Sequence, residues 1–137
     1  MGRNTRAFID TNILIYIYSP SELEKKNAAL EILEKCIPVV SIQSIKEFSN
    51  TLIRKKIFKS NEVKLLISSI LAICELIDEN ISMTYDTLDI QEKYGMSYYD
   101  SFIMTAALAS YCDILLSEDM QHGQIIDGKL PIVNPFA

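Results

Sequence analysis

The sequence has 137 residues, a length that suits one domain burying roughly two-thirds of the surface its unfolded chain exposes. Hydrophobic residues make up 49% and charged residues 23%, with only four glycines and four prolines, which excludes a low-complexity or linker-rich chain. The formal charge of -5 excludes a protein that coats nucleic acid through its overall charge, so any such contact must come from a local basic patch or through bound cations.

In chain order, Arg6-Ala7-Phe8-Ile9 runs into Asp10, Thr11 and Asn12, and a second apolar run starts at Ile13. This reads as a buried strand delivering a carboxylate to its C-terminal edge just before a helix. In open α/β sheets that edge is where ligands bind. A short helix from Ile13 to Tyr18 is expected to stop at Ser19-Pro20, and a second runs from Ser21 through Leu33 with acids in its first turn. Cys36 to Ser41 reads as the second strand. A helix opening at Ser44 carries Ile45, Phe48, Leu52 and Ile53 on one face and ends in Arg54-Lys55-Lys56. Its partner from Ser60 carries Val63, Leu66, Ile67, Ile70 and Cys74, and the two form a helical hairpin. Glu75 to Ile77 is a short strand, Tyr85 to Tyr94 a helix capped by Gly95, and a stronger helix begins at Tyr98. Asp113 to Ser117 is a strand leading to Glu118-Asp119, and Asp127-Gly128 marks a turn before the last strand, Leu130 to Val133. The alternation predicts an α/β fold with a central, mostly parallel sheet flanked by helices on both faces, as a single domain over 1–137.

Cys36, Cys74 and Cys112 form no C-x-x-C pair and have apolar neighbours, so they read as buried thiols of a reducing compartment rather than a disulfide or zinc framework. No stretch reaches the roughly 18 apolar residues that span a bilayer. A cytoplasmic protein without membrane contact is expected.

Four acids fall where they can face one edge of the sheet: Asp10, Glu47, Asp100 and Asp119. Gathered carboxylates repel one another and are relieved by a divalent cation, and oxygen-only ligands suit magnesium or manganese. Each acid also has a purely structural reading. Ser44 to Glu47 fits a capping box, Ser97 to Asp100 fits its looser form, Asp10 can cap the next helix and Asp119 can solvate a loop. The basic run Arg54, Lys55, Lys56, with Lys59 beyond it, can hold RNA, and Tyr98 or Tyr99 can offer a stacking face; the same charges can instead complement a helix dipole.

The ordered set Phe8-Ile9-Asp10-Thr11-Asn12, Glu47-Phe48, Tyr98-Tyr99-Asp100-Ser101 and Leu116-Ser117-Glu118-Asp119 resembles the PIN domain, and within it the VapC-type toxin ribonucleases of toxin–antitoxin pairs. The resemblance implies an endoribonuclease that hydrolyses RNA phosphodiester bonds with one or two Mg2+ or Mn2+ ions held by Asp10, Glu47, Asp100 and Asp119. It also implies that Asn12 and Ser117 orient the acids, and that the partners are RNA, a cognate antitoxin and a second copy in a homodimer. The family often has Thr-Asn-Asp where this chain has Ser117-Glu118-Asp119; Asp119 is expected to face the metal and Glu118 to be solvated. Two other readings stand beside this one: a noncatalytic PIN-like module that grips RNA or protein, and a phosphotransfer domain using Asp10 as nucleophile.

Overall fold

Strand side chains alternate between two apolar layers, and this alternation builds the molecule. The computed structural model describes residues 1–137. Its elements in order are β1 (Arg6–Ile9), α1 (Thr11–Tyr18), α2 (Leu23–Glu34), β2 (Ile37–Ser41), α3 (Ile42–Arg54), α4 (Ser60–Ile73), β3 (Glu75–Ile77), α5 (Ile81–Tyr94), α6 (Tyr98–Ala109), β4 (Ile114–Leu116), β5 (Ile125–Ile126) and β6 (Leu130–Val133). With a side-chain period of two, Phe8, Val39 and Leu115 point to one face and pack with Met83 and Ile90 of α5 and Phe102, Met104 and Ala106 of α6. Their neighbours Ala7, Ile9, Val40 and Leu116 point to the other face, where Ile13, Leu14, Phe48, Leu52, Val63 and Ile70 cover them. Helices therefore lie on both faces of the sheet.

The strand order is β3-β2-β1-β4-β6-β5, with every pair parallel except β5 with β6. From β1 the chain moves outward through β2 and β3, then returns to place β4 on the other side of β1. The sheet thus changes winding direction between β1 and β4, and a crevice opens beyond their C-terminal ends. Asp10 and Ser117 follow these two strands directly.

Three local details differ from the sequence reading. Helix α3 starts at Ile42, because Ser41 leaves β2 in an extended conformation and caps it, its Oγ accepting from the Ser44 N–H at 3.1 Å. Ser44 is therefore inside the first turn and is not the cap. Helix α5 starts a turn before Tyr85, since Asn80 caps it by accepting from the Met83 N–H at 3.1 Å. The Asp127-Gly128 turn closes a hairpin with the additional strand β5: both residues are left-handed, with φ of 51° and 67°, and Lys129 N–H donates to the Ile126 carbonyl at 3.0 Å. Gly95 caps α5 with φ 67°, as expected from its position.

Candidate active site

The four acids arrive from four different elements. Asp10 is the N-cap of α1, and the backbone at this point still belongs to the sheet, because the Asp10 N–H donates to the Leu116 carbonyl at 3.0 Å. One carboxylate oxygen of Asp10 accepts from the Thr11 N–H at 2.7 Å, and the other accepts from the Ser117 hydroxyl at 2.8 Å. Both oxygens are thereby fixed. Glu47 lies in the second turn of α3, where it accepts from the Thr11 hydroxyl at 3.1 Å and from the Gln43 amide at 3.2 Å. Asp100 lies in the first turn of α6, held by the Ser97 cap, whose hydroxyl accepts from the Asp100 N–H at 3.2 Å. Asp119 follows β4 and accepts from the Asn12 side-chain amide.

All four line one cleft of about 300 Å3, together with Thr11, Asn12, Asn50, Thr51, Arg54 and Tyr99. Asp10 is its floor, only 6% exposed. Burial pushes the Asp10 carboxyl up to about 6; the bonds from Ser117 and Thr11 oppose this, and the charges of Asp100 and Asp119 add to it. The protein has three ion pairs, Arg6–Glu75, Lys25–Glu118 and Lys93–Asp127, and none includes an acid of the cleft. Arg54 shares the cleft without closing an ion pair on any of them.

The PIN domain family model matches residues 7–125, a span that contains all four acids. The chain belongs to the PIN domain family. No curated protein sequence matches it. Solved structures similar to this PIN domain include a toxin–antitoxin complex from Klebsiella pneumoniae, with a TM-score of 0.70 at 18% identity over 94% of this chain and 97% of that one. The VapBC2 complex of Rickettsia felis, bound to a DNA fragment from its promoter, matches with a TM-score of 0.68 at 17% identity over 95% of this chain and 100% of that one. VapC20 of Mycobacterium tuberculosis, a toxin that cleaves the sarcin–ricin loop, matches with a TM-score of 0.66 at 10% identity over 80% and 86% of the two chains. At these identities the likeness is one of fold.

Within this PIN domain the residues singled out from sequence sort clearly. Asp10, Glu47, Asp100 and Asp119 share the cleft, and Asn12 and Ser117 each donate to one of the acids. The capping-box reading of Glu47 does not hold: Ser44 is not a cap, and the Glu47 carboxylate is taken up by Thr11 and Gln43. Asp100 returns no bond to the Ser97 amide, so only half of that motif forms. The expectation that Glu118 is solvated does not hold: it is part-buried and paired. It points away from the cleft, accepting from the Tyr16 hydroxyl at 2.5 Å and from Lys25 Nζ at 2.7 Å. Of the basic run, only Arg54 lines the cleft; Lys55 caps α3, and Lys56 and Lys59 border a separate crevice. His122 stands outside the site, its Nδ1 accepting from the Asn134 N–H at 2.9 Å.

Sequence reasoning missed Thr11, Gln43, Asn50 and Thr51. The last three were legible in principle, since residues 43, 47, 50, 51 and 54 form one stripe of α3 at helical spacing. The donors are all oxygens, and a buried carboxylate lacking a cationic partner is the kind of group a hard divalent ion relieves, so the chemistry of the set fits such an ion. No three His, Cys, Asp or Glu side chains are already closed around one point; hydrogen bonds from Asn12, Thr11 and Gln43 hold two of the acids instead.

Proposed function

We propose that this PIN domain is a divalent-metal-dependent endoribonuclease that hydrolyses RNA phosphodiester bonds and serves as the toxin of a toxin–antitoxin pair. The observation that carries the reading is the cleft at the sheet's winding switch, where four carboxylates from four elements meet without an ion pair among them. Asp10, Asp100 and Asp119, with Glu47, hold one or two Mg2+ or Mn2+ ions. Such an ion, when bound, lowers the pKa of a coordinated water and neutralises charge developing on the phosphate. The chain's own residues supply position. Thr11 and Ser117 fix the two Asp10 oxygens, and Asn12 turns Asp119 inward. The ion pair with Lys25 and the hydrogen bond from the Tyr16 hydroxyl keep Glu118 out of the cleft. Arg54 stands along α3 from Glu47 and takes a substrate phosphate, with Lys55 and Lys56 adding to the local positive field.

The toxin role is supported by the similar structures, several of which are toxin–antitoxin complexes. A cognate antitoxin and a second copy of the chain are the proposed protein partners. Leu23 and Leu30 on α2, and Leu65, Leu71 and Ile73 on α4, are exposed apolar side chains available for such contacts. No helix is long and apolar enough to cross a membrane, and action on RNA in the cytoplasm is part of the proposal.

The test is incubation of purified protein, freed of copurifying partners, with structured and single-stranded RNAs in magnesium, manganese or chelator, beside Asp100→Asn. Metal-dependent cuts that vanish in the variant are expected. Absence of cleavage together with absence of metal binding transfers the assignment to a noncatalytic binding module.

A further inference from the structure

A second, smaller crevice of about 130 Å3 adjoins the acid cleft, lined by Gln43, Glu79, Thr84, Tyr98, Tyr99 and Phe102. We infer that it receives one nucleobase of the substrate strand, next to the bond that is cut, and selects a base carrying an exocyclic amino group. The inference rests on the ribonuclease reading of the neighbouring acids.

Continuity is the first argument. Tyr99 lines both cavities, and Gln43 lines the crevice while its amide donates to Glu47 in the cleft at 3.2 Å. An occupant of the crevice is therefore one side chain away from the carboxylates. The second argument is the aromatic wall. Tyr98 and Tyr99 meet edge to face, with centroids 5.8 Å apart and planes at 87°, and Tyr99 remains 57% exposed, so ring surface stays open beside a polar site. Flat bases stack on such surfaces whatever their sequence.

The polar rim provides selection. One Glu79 oxygen accepts from the Gln43 N–H at 2.7 Å, and the other accepts nothing from the protein. The Gln43 amide nitrogen is engaged by Glu47, which leaves its carbonyl oxygen without a protein partner. The lining thus carries two acceptor oxygens without protein partners, with the Thr84 hydroxyl able to serve either way. The amino groups of cytosine, adenine and guanine can donate to such acceptors, whereas uracil has a single donor, N3–H, flanked by two carbonyl oxygens that acceptors repel.

The test maps cuts in a pool of random-sequence single-stranded RNA by the wild type, Tyr99→Ala, Tyr99→Phe and Thr84→Ala, beside a series carrying one abasic nucleotide at each position around the cut. The wild type is expected to avoid uracil at one position flanking the cut. Tyr99→Ala is expected to cut roughly tenfold more slowly with that bias flattened, and Tyr99→Phe to restore most of the loss, since the phenyl ring still stacks. Thr84→Ala is expected to weaken the bias more than the rate. An abasic nucleotide at the same position should reproduce the loss in the wild type and add nothing in Tyr99→Ala. Multiplying losses, or an unchanged bias in Tyr99→Ala, overturn the inference. Should the wild type cut nothing, the ribonuclease reading fails separately. The crevice is then judged by binding of labelled oligocytidylate against oligouridylate in calcium: a Tyr99-dependent preference for oligocytidylate upholds it, and equal binding overturns it.

Discussion

Glu118 and Asp119 are neighbours in the chain with opposite surroundings. Glu118 is gripped by Lys25 and Tyr16 on α2 and α1, with Lys25 Nζ also lying 4.7 Å from the Tyr16 ring centre. Partial burial pushes its carboxyl up, but the Lys25 and Tyr16 bonds outweigh this and hold it below the usual range. Asp119 faces the cleft with a neutral amide for company, above an Asp10 whose burial drives its own carboxyl up to about 6. Glu75, Glu118 and Asp127 are each neutralised by a cation of the chain, while the four cleft acids are not. Among the cleft acids, Asp10 has neither solvent nor a cation of the chain to offset its charge.

The contrast can be broken by substitution on either side. The largest effect is expected from Asp100→Asn, which should reduce RNA cleavage by more than roughly 100-fold, beyond the range of residues that only orient metal ligands, as measured by turnover on the identified substrate. Asp10→Asn should stabilise the metal-free protein above about pH 6 by something of order 3 kcal/mol, measured by denaturant titration. The sign follows from proton linkage. The folded carboxyl holds its proton up to about 6 while the unfolded one loses it near 3.8, so stability falls as pH rises between these values, and the full penalty persists above them. Asn keeps the Thr11 bond, and its amide can donate to Ser117, whose hydroxyl oxygen already accepts from the Met120 N–H and has a lone pair to spare. The gain should shrink through about pH 4 and vanish below about pH 3, where the wild-type carboxyl is protonated in both states. Glu75, Glu118 and Asp127, whose carboxyls are lowered, act with the opposite sign and lose their contribution on acidification in both proteins, so the difference between wild type and variant isolates Asp10.

Smaller effects sharpen the comparison. Ser117→Ala removes the donor to Asp10 and should weaken Mn2+ binding by roughly 10-fold to 100-fold in a calorimetric titration. Glu118→Gln should lower the melting temperature only slightly, as for other partly exposed ion pairs, and leave metal affinity unchanged. A loss of metal affinity in Glu118→Gln equal to that in Ser117→Ala would erase the distinction between the two regions.

Much of this was legible in the sequence because strand-to-acid junctions are local. The run Phe8-Ile9-Asp10 and the run Leu115-Leu116-Ser117 announce their strands through apolar continuity, and the parallel sheet then brings their ends together. Cap geometry was less legible. Ser41 and Ser44 are both cap-forming residues, and only the point at which β2 releases the chain decides between them. The destination of Glu118 was hidden for another reason. Its partners Tyr16 and Lys25 are about a hundred residues away, and no spacing rule joins them. Strand β5 has two residues and exists through its pairing with β6, so propensity could not reveal it. The α3 stripe from Gln43 to Arg54 was readable by helical period, once Glu47 was taken as a cleft residue rather than a cap.

The most direct test is a thermal-shift titration of the metal-free protein with Mn2+ above pH 6, comparing wild type, Asp10→Asn and Glu118→Gln. A ligand that binds only the folded state raises the melting temperature with concentration. The proposed cation site predicts a rise in wild type and Glu118→Gln that is lost in Asp10→Asn. No rise in the wild type, or equal rises in all three proteins, would contradict it.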